Sequence, residues 1–317
     1  MTTRPSKLLP MRSIAGSRRR STKDKCMNLV KAIGLVFFVT LIMGSISYFV
    51  EGQTVSFLGI PLVMASMICC LAINLAVFIP ATLAKTEKYF DVTGSITYLL
   101  VMAMALFALG DGINLRTICL ALMVCIWALR LGTYLMRRIH ADGKDGRFDE
   151  LKKQPSTFII PWILQALWVF LTSLAVIVMM ATNPDRPTVL WTDILGGVFW
   201  VLGFAIEVTA DAQKAAFRKD PENAGHFIQS GLWRWSQHPN YFGEILLWTG
   251  MFVVGVGFYQ GTQWLAILSP LFIYVLLTKI SGINLLDERA EKRWGNDVNY
   301  QNYRKSTSVL FLWPPKR

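Results

Sequence analysis

Eight apolar runs govern what this chain can become. They cover residues 29–50, 58–80, 95–110, 113–131, 157–181, 189–210, 242–260 and 263–285. A helix needs about 20 apolar residues to cross ~30 Å of hydrocarbon. Most of the runs reach that length. The expected fold is therefore all-α, a polytopic membrane helical bundle of about eight transmembrane helices. The third run is short, so it is expected to lean on its neighbours or on a locally thinner bilayer. The connections after the third and seventh runs are short and predict antiparallel hairpins. A length of 317 residues would suit roughly two soluble domains. However, 53% of the residues are hydrophobic and 16% charged, against about 25% charged in soluble domains. One membrane domain over 29–317 fits better.

The distribution of charge orients the bundle. Lys85 and Lys88, then Arg137, Arg138, Lys144, Arg147, Lys152 and Lys153, then Lys214, Arg218, Lys219 and Arg234, fall in alternate loops. Arg186 lies in an opposite loop, and Arg116 near a span edge. The basic loops belong on the cytosolic side, which places both the N- and C-termini in the cytosol. The membrane is that of the endoplasmic reticulum in a eukaryote, otherwise the inner or plasma membrane. The formal charge of +12 is set beside the membrane, where it meets lipid headgroups, and does not point to nucleic acid. Residues 1–28 hold eight Lys or Arg and one acid, with no apolar core. They read as a basic disordered tail, or as a transit peptide, rather than a cleavable secretory signal. Five cysteines without a CxxC pair read as apolar filler. The three histidines have no metal-ligand spacing, and no metal site is expected.

Polar groups gather where the sixth and seventh runs meet the cytosol. Glu207 and Asp211 are four apart and share a helical face. Lys214 and Arg218 continue that stripe. The plainer reading is a solvated helix end with paired charges. After Arg234 comes SQHPNYFGE. Pro239 disfavours helix at His238 and suits a first helical turn, so the seventh span starts near Asn240. Asn240, Tyr241 and Glu244 then occupy its first turns. Gly243 permits a ligand or a second helix to come close. Beyond the eighth run, Asp287 precedes Trp294, Tyr300 and Tyr303, interleaved with Arg293, Arg304 and Lys305. Such residues make an interfacial belt. They also suit a nucleotide, with rings for the base and cations for phosphates. Arg130, near the cytosolic end of the fourth run, reads as a snorkelling side chain. GVGFYQG over 255–261 has the wrong spacing and context for a dinucleotide loop. Gly196, Gly197 and Gly203 read as small residues for helix packing.

KYFDVTGS (88–95), RRIHADGKDGRFDELKK (137–153) and the stretch from Glu207 to Tyr303 resemble an incompletely characterised group of multi-pass membrane proteins. That group is related to the C-terminal domain of steroid 5-alpha-reductases. The resemblance covers most of 80–315. The wider superfamily also holds sterol reductases and isoprenylcysteine carboxyl methyltransferases. The resemblance implies NADPH binding from the cytosolic side by Asn240, Tyr241 and Glu244, with Asp211 and Arg218 from the preceding helix. It matches Asp287, Glu288, Trp294, Gly295, Tyr300 and Tyr303 to the reductase tail. Lys214, Arg234, His238 and Arg304 complete the expected cofactor set. The substrate half departs from the family. No Gln-Glu pair is found, and Trp127 stands where a proton-donating tyrosine is expected, three before Arg130. Tryptophan cannot supply that proton. Tyr134 and Asp91 are the candidate donors.

Three functions remain open at this stage. The leading one is an NADPH-dependent oxidoreductase acting on a carbon–carbon double bond of a lipid or steroid-like substrate. The methyltransferases share a His-Pro-x-Tyr-x-Gly stretch, met here by His238 to Gly243. S-adenosylmethionine is therefore the alternative cofactor, for transfer to a lipidic acceptor. A non-enzymatic lipid-binding protein is the third. The partners in every case are the lipid bilayer and a lipophilic small molecule; the sequence leaves the oligomeric state open.

Overall fold

The computed structural model describes the backbone of residues 12–182 and 189–315. The helices among these residues are α1 (Arg12–Phe49), α2 (Leu62–Leu83), α3 (Phe90–Leu109), α4 (Leu115–Asp142), α5 (Pro155–Thr182), α6 (Trp191–Lys219), α7 (Pro239–Gly255), α8 (Leu268–Val275), α9 (Ile283–Trp294) and α10 (Val298–Ser306). A two-stranded hairpin, Ser56–Phe57 with Ile60–Pro61, follows α1. Arg186 lies outside the described residues.

Seven helical segments are long and apolar enough to cross a membrane. The last is composite, running from Gly261 to Trp294. It enters as a 3-10 helix, continues as α8, widens into a π-turn at Leu276–Ile280 and breaks before α9. The seventh expected run forms α7, which with 17 residues is at the short end of what can cross and is not among those seven. The protein is thus an all-α polytopic membrane bundle.

Two expectations need correction. α3 begins at Phe90 and has 20 residues, so it needs no thinned bilayer. Asp91 and Thr93 in its first turn hid the start from an apolar count. The basic segment 1–28 is helical from Arg12 onward, because a helix already nucleated by an apolar span propagates readily into Lys, Arg, Ala and Ser. Residues 1–11 lie outside those described.

α5 forms the centre. Residues 169–182 are all buried, and the helix packs against α1, α2, α3, α7 and α8. Its hydroxyls are satisfied within the helix: Thr172 and Ser173 donate to the Trp168 and Val169 carbonyls at 2.8 and 2.5 Å.

α6 and α7 make the closest helix pair. Gly196 faces Gly250, and Gly203 faces Gly243. A Cβ at any of the four would stand 2.5 Å from the partner's carbonyl oxygen. Each pair of glycines is seven residues apart, two turns along one face. This antiparallel seam fixes the register that brings the start of α7 beside the acids of α6. Gly243 therefore makes room for a helix.

Candidate functional site

The first cluster lies where α4, α6 and α7 converge. Arg130 spans both acids of the α6 stripe: Nη1 donates to Glu207 Oε1 and Nη2 to Asp211 Oδ2, each at 2.5 Å. Trp127 Nε1 donates to the other Glu207 oxygen at 3.0 Å. Asn240 Nδ2 donates to Asp211 Oδ1 at 3.2 Å. Glu207 and Asp211 are buried. Pairing and hydrogen bonding are what make such burial tolerable. Glu244 is buried one turn into α7, in the field of Glu207, Asp211 and Arg130. Arg130 is thus a fixed ion-pair centre, which corrects the snorkelling reading. Its partners lie 77 and 81 residues away, beyond any local spacing rule. Trp127 is a hydrogen-bond donor to this cluster.

The second feature is a cavity of about 430 Å³ on the basic face of the bundle. Its walls come from the end of α6, the loop 223–238, α9 and α10. Lys214, Arg218, Arg289 and Arg293 supply cations, and Phe227, Trp233, Trp294, Tyr300 and Tyr303 supply rings. Asp287 is the one acid among its lining residues. That carboxylate already faces Arg304 at 3.2 Å. The Lys214 ammonium sits 4.5 Å from the centre of the Trp233 ring. Phe227 fills a ring cluster, 5.1 Å from Tyr300 and 5.9 Å from Trp294. His238 is buried in the wall. Its Nε2 lies 3.4 Å from Asp287 and has no hydrogen-bond partner among the described residues. Buried polar atoms of this kind invite a ligand. Volume and mixed lining both suit a small-molecule site.

The expected site residues therefore divide. Lys214, Arg218, His238, Asp287, Tyr300 and Tyr303 line the cavity. Asp211 and Asn240 belong to the ion-pair cluster instead, with Glu244 buried beside it, and none of the three lines this cavity. Tyr241 links the two, stacked on His238 at 5.5 Å and 9°. Tyr303 donates its hydroxyl to the Trp233 carbonyl at 2.7 Å, and burial pushes its phenol up. Arg304 stands behind the wall, tied to Asp287 and to Glu291 at 2.9 Å. Arg234 is exposed and lines a separate shallow groove. Arg293, named in the sequence beside the aromatics, lines the cavity too. The sequence reading missed His226, Phe227 and Arg289. The aromatic and basic spacing of α9 carried the signal for Arg289. Only the fold of the loop brings His226 and Phe227 to α9.

Tyr134 and Asp91 stand elsewhere on the basic face. The Arg130 guanidinium lies 5.5 Å from the Tyr134 ring centre. Asp91 faces Arg138 at 3.7 Å. Beside them the segment 143–153 is a built loop. Phe148 is buried against Phe90 and Phe158. Glu87, also buried, accepts the Asp145 backbone N–H at 3.1 Å and the Lys152 ammonium at 2.8 Å. Burial alone would raise the Glu87 carboxyl, but these two donors outweigh it and hold it below its ordinary value. Asp145 behaves likewise: burial raises it, and the Arg147 guanidinium more than compensates.

Fold and site together define a polytopic membrane protein with a cation-rich, ring-walled cavity on its basic face. The chain belongs to the family described as "Protein of unknown function (DUF1295)", whose model matches residues 77–307. This is the multi-pass membrane family expected from residues 80–315. An uncharacterized protein of Schizosaccharomyces pombe is 24% identical over 176 residues, which is 46% of this chain. The chain covers 51% of that relative's length, about half of it. No solved structure matches the chain.

Proposed function

We propose that the protein is an NADPH-dependent reductase of a carbon–carbon double bond in a lipid, with the cofactor held in the cavity of the basic face. The charge of the cavity carries this reading. Four Lys or Arg side chains face it against the already paired Asp287. That excess suits phosphates. S-adenosylmethionine, with a sulfonium and an ammonium against one carboxylate, is opposed by it. Trp294 and Tyr300 offer ring faces for an adenine. Lys214 and Arg218 are placed to neutralise phosphate charge, and His238 lines the same wall with its Nε2 facing Asp287. NADPH, when bound, supplies the hydride; the protein binds and orients it.

The Arg130–Glu207–Asp211 cluster gives the neighbouring α6–α7 corner a rigid, negatively biased wall. Asn240 is fixed there by its bond to Asp211. Tyr241 carries the contact from that wall to His238 and so to the cavity. The purified protein is expected to show a thermal shift with NADPH, and none with S-adenosylmethionine at equal concentration. Transfer of deuterium from labelled NADPH into a lipid product would complete the case. A shift with S-adenosylmethionine alone would move the assignment to methyl transfer. A shift with neither would leave the lipid-binding reading.

A further inference from the structure

α4 and α6 are joined by two ion pairs with the same offset. Arg116 pairs with Asp193, Nε and Nη2 donating at 2.7 and 2.8 Å, and Arg130 pairs with Glu207. The partner is 77 residues on in both cases. The helices therefore run parallel, clamped at two points about 14 residues, or ~21 Å, apart. Between the clamps they approach closely at few points. Ile126 is exposed beside the clamp line of α4, whereas Leu122 and Leu129 on α4 and Val198, Val201 and Leu202 on α6 are exposed on the outer faces of their helices, about 100–160° round from the clamp residues. Trp200, midway between the clamps and stacked on Phe204 at 5.0 Å, keeps a buried Nε1 without a partner among the described residues. The seam between the clamps is floored by Trp200 and Phe204, which share the clamp face of α6.

At its basic end the seam leads to Tyr134 and Arg138, the next turns of α4 beyond Arg130. The charges of Arg138 and Arg147 both reach Asp91 and the Tyr241 phenol. Here the arginines lie outside and the acids behind. The Arg138 and Arg147 side chains are 37% and 51% exposed, against 17% for Asp91 and 14% for Asp145. Asp145 takes Nε and Nη2 of Arg147, which leaves Nη1 to give. The 3.7 Å approach of Arg138 to Asp91 is too long to spend a hydrogen bond. The hydroxyls of Tyr134 and Tyr241 have no hydrogen-bond partner among the described residues. Acids that orient guanidiniums outward, beside free hydroxyls, make a receptor for an oxyanion. The loop that fixes Arg147, pinned by Glu87 and Phe148, has no part in the cavity described above.

We propose that this protein binds a lipid with an anionic head, phosphate or carboxylate. Arg138 and Arg147 hold that head at the rim, and the hydrocarbon chain lies in the seam between α4 and α6. The ~21 Å between the clamps accommodates a long acyl or prenyl chain. Calling this lipid the substrate rests on the reductase reading; its binding does not.

The test uses the full chain in a nonionic detergent and three probes with one oleoyl tail: oleoyl lysophosphatidic acid, oleoyl lysophosphatidylcholine and monooleoylglycerol. Native mass spectrometry and thermal shift read binding. The anionic probe is expected to bind roughly tenfold more tightly than the other two. Inorganic phosphate alone should give no shift. Arg138→Gln combined with Arg147→Gln should erase the preference and preserve the NADPH shift. Equal binding of the three probes would overturn the proposal, as would a preference that survives the double substitution. Competition by inorganic phosphate as strong as that by the lysophosphatidate would overturn it too, by making this a free-phosphate site. If the anionic preference holds and NADPH gives no shift, the lipid site stands and the reductase reading falls.

Discussion

At the scale of single residues, Arg130 does most to hold the site together. Removing its guanidinium leaves Glu207 and Asp211 buried and uncompensated, a loss of about 3–5 kcal/mol. Arg130→Gln should therefore lower the melting temperature sharply in detergent. Arg130→Lys should recover only part of it, since one ammonium cannot donate to both acids as the planar fork does. Equal stability of Arg130→Gln and wild type would show the pairs to be incidental. A milder change probes the cavity. Lys214→Met keeps the stem over Trp233 and removes a cation, so NADPH affinity measured by titration should fall about tenfold. The sequence named the acids, Lys214 and Asn240 because they cluster within a few helical turns. It could not name the partner of the acids, because Arg130 reaches them from a helix far back in the chain. His226 and Phe227 escaped for a related reason: an irregular loop has no periodicity to read.

At the scale of elements, the α6–α7 seam and the 143–153 loop make separate predictions. Gly203→Ala or Gly243→Ala places a methyl 2.5 Å from a backbone carbonyl that cannot move alone. Overpacking of this kind costs about 1–3 kcal/mol. The change should also loosen the Asn240–Asp211 contact and weaken NADPH binding. Gly197, with open space at its Cβ, is the control: Gly197→Ala should be neutral or slightly stabilising. The glycines were legible as packing residues, whereas their pairing across the two helices was not, because register is a property of both elements.

In the loop, Glu87 stabilises the fold while ionised, its carboxyl being held below the ordinary value of 4.5. That contribution is complete above the ordinary value and is lost as acidification passes through the lower, folded one. The melting temperature of wild type should therefore fall as the pH drops below about 4.5, and Glu87→Gln should show a lower plateau with a shallower acid decline. Parallel curves for the two proteins would exclude Glu87 as a contributor.

At the scale of the whole molecule, the fold class was readable directly, because bilayer thickness imposes one length on every crossing helix, whereas the expected eight spans meet seven long apolar helical segments and the shorter α7. The composite last span was read as a single run, since a π-turn and a break leave hydropathy unchanged. Ligand binding should be visible globally. A cofactor that binds only the folded bundle adds about 2.7 kcal/mol at a hundredfold excess over its dissociation constant. The melting temperature should climb with the logarithm of NADPH concentration, and a flat response would remove the cofactor from the account.

The buried course of α5 bears on how the molecule is made. A helix needs apolar side chains to partition into lipid, but residues 169–182 end up touching protein on all sides. Its hydrophobicity is therefore a requirement of biogenesis rather than of its final surroundings. α5 must enter the membrane as a greasy rod, then surrender its lipid shell as α1–α3, emerging before it, and α7–α8, emerging after it, close around it. Until α8 has been synthesised, that shell stays open on one flank, so ribosome-stalled chains ending before Leu268 should expose α5 to lipid crosslinkers that the finished protein excludes.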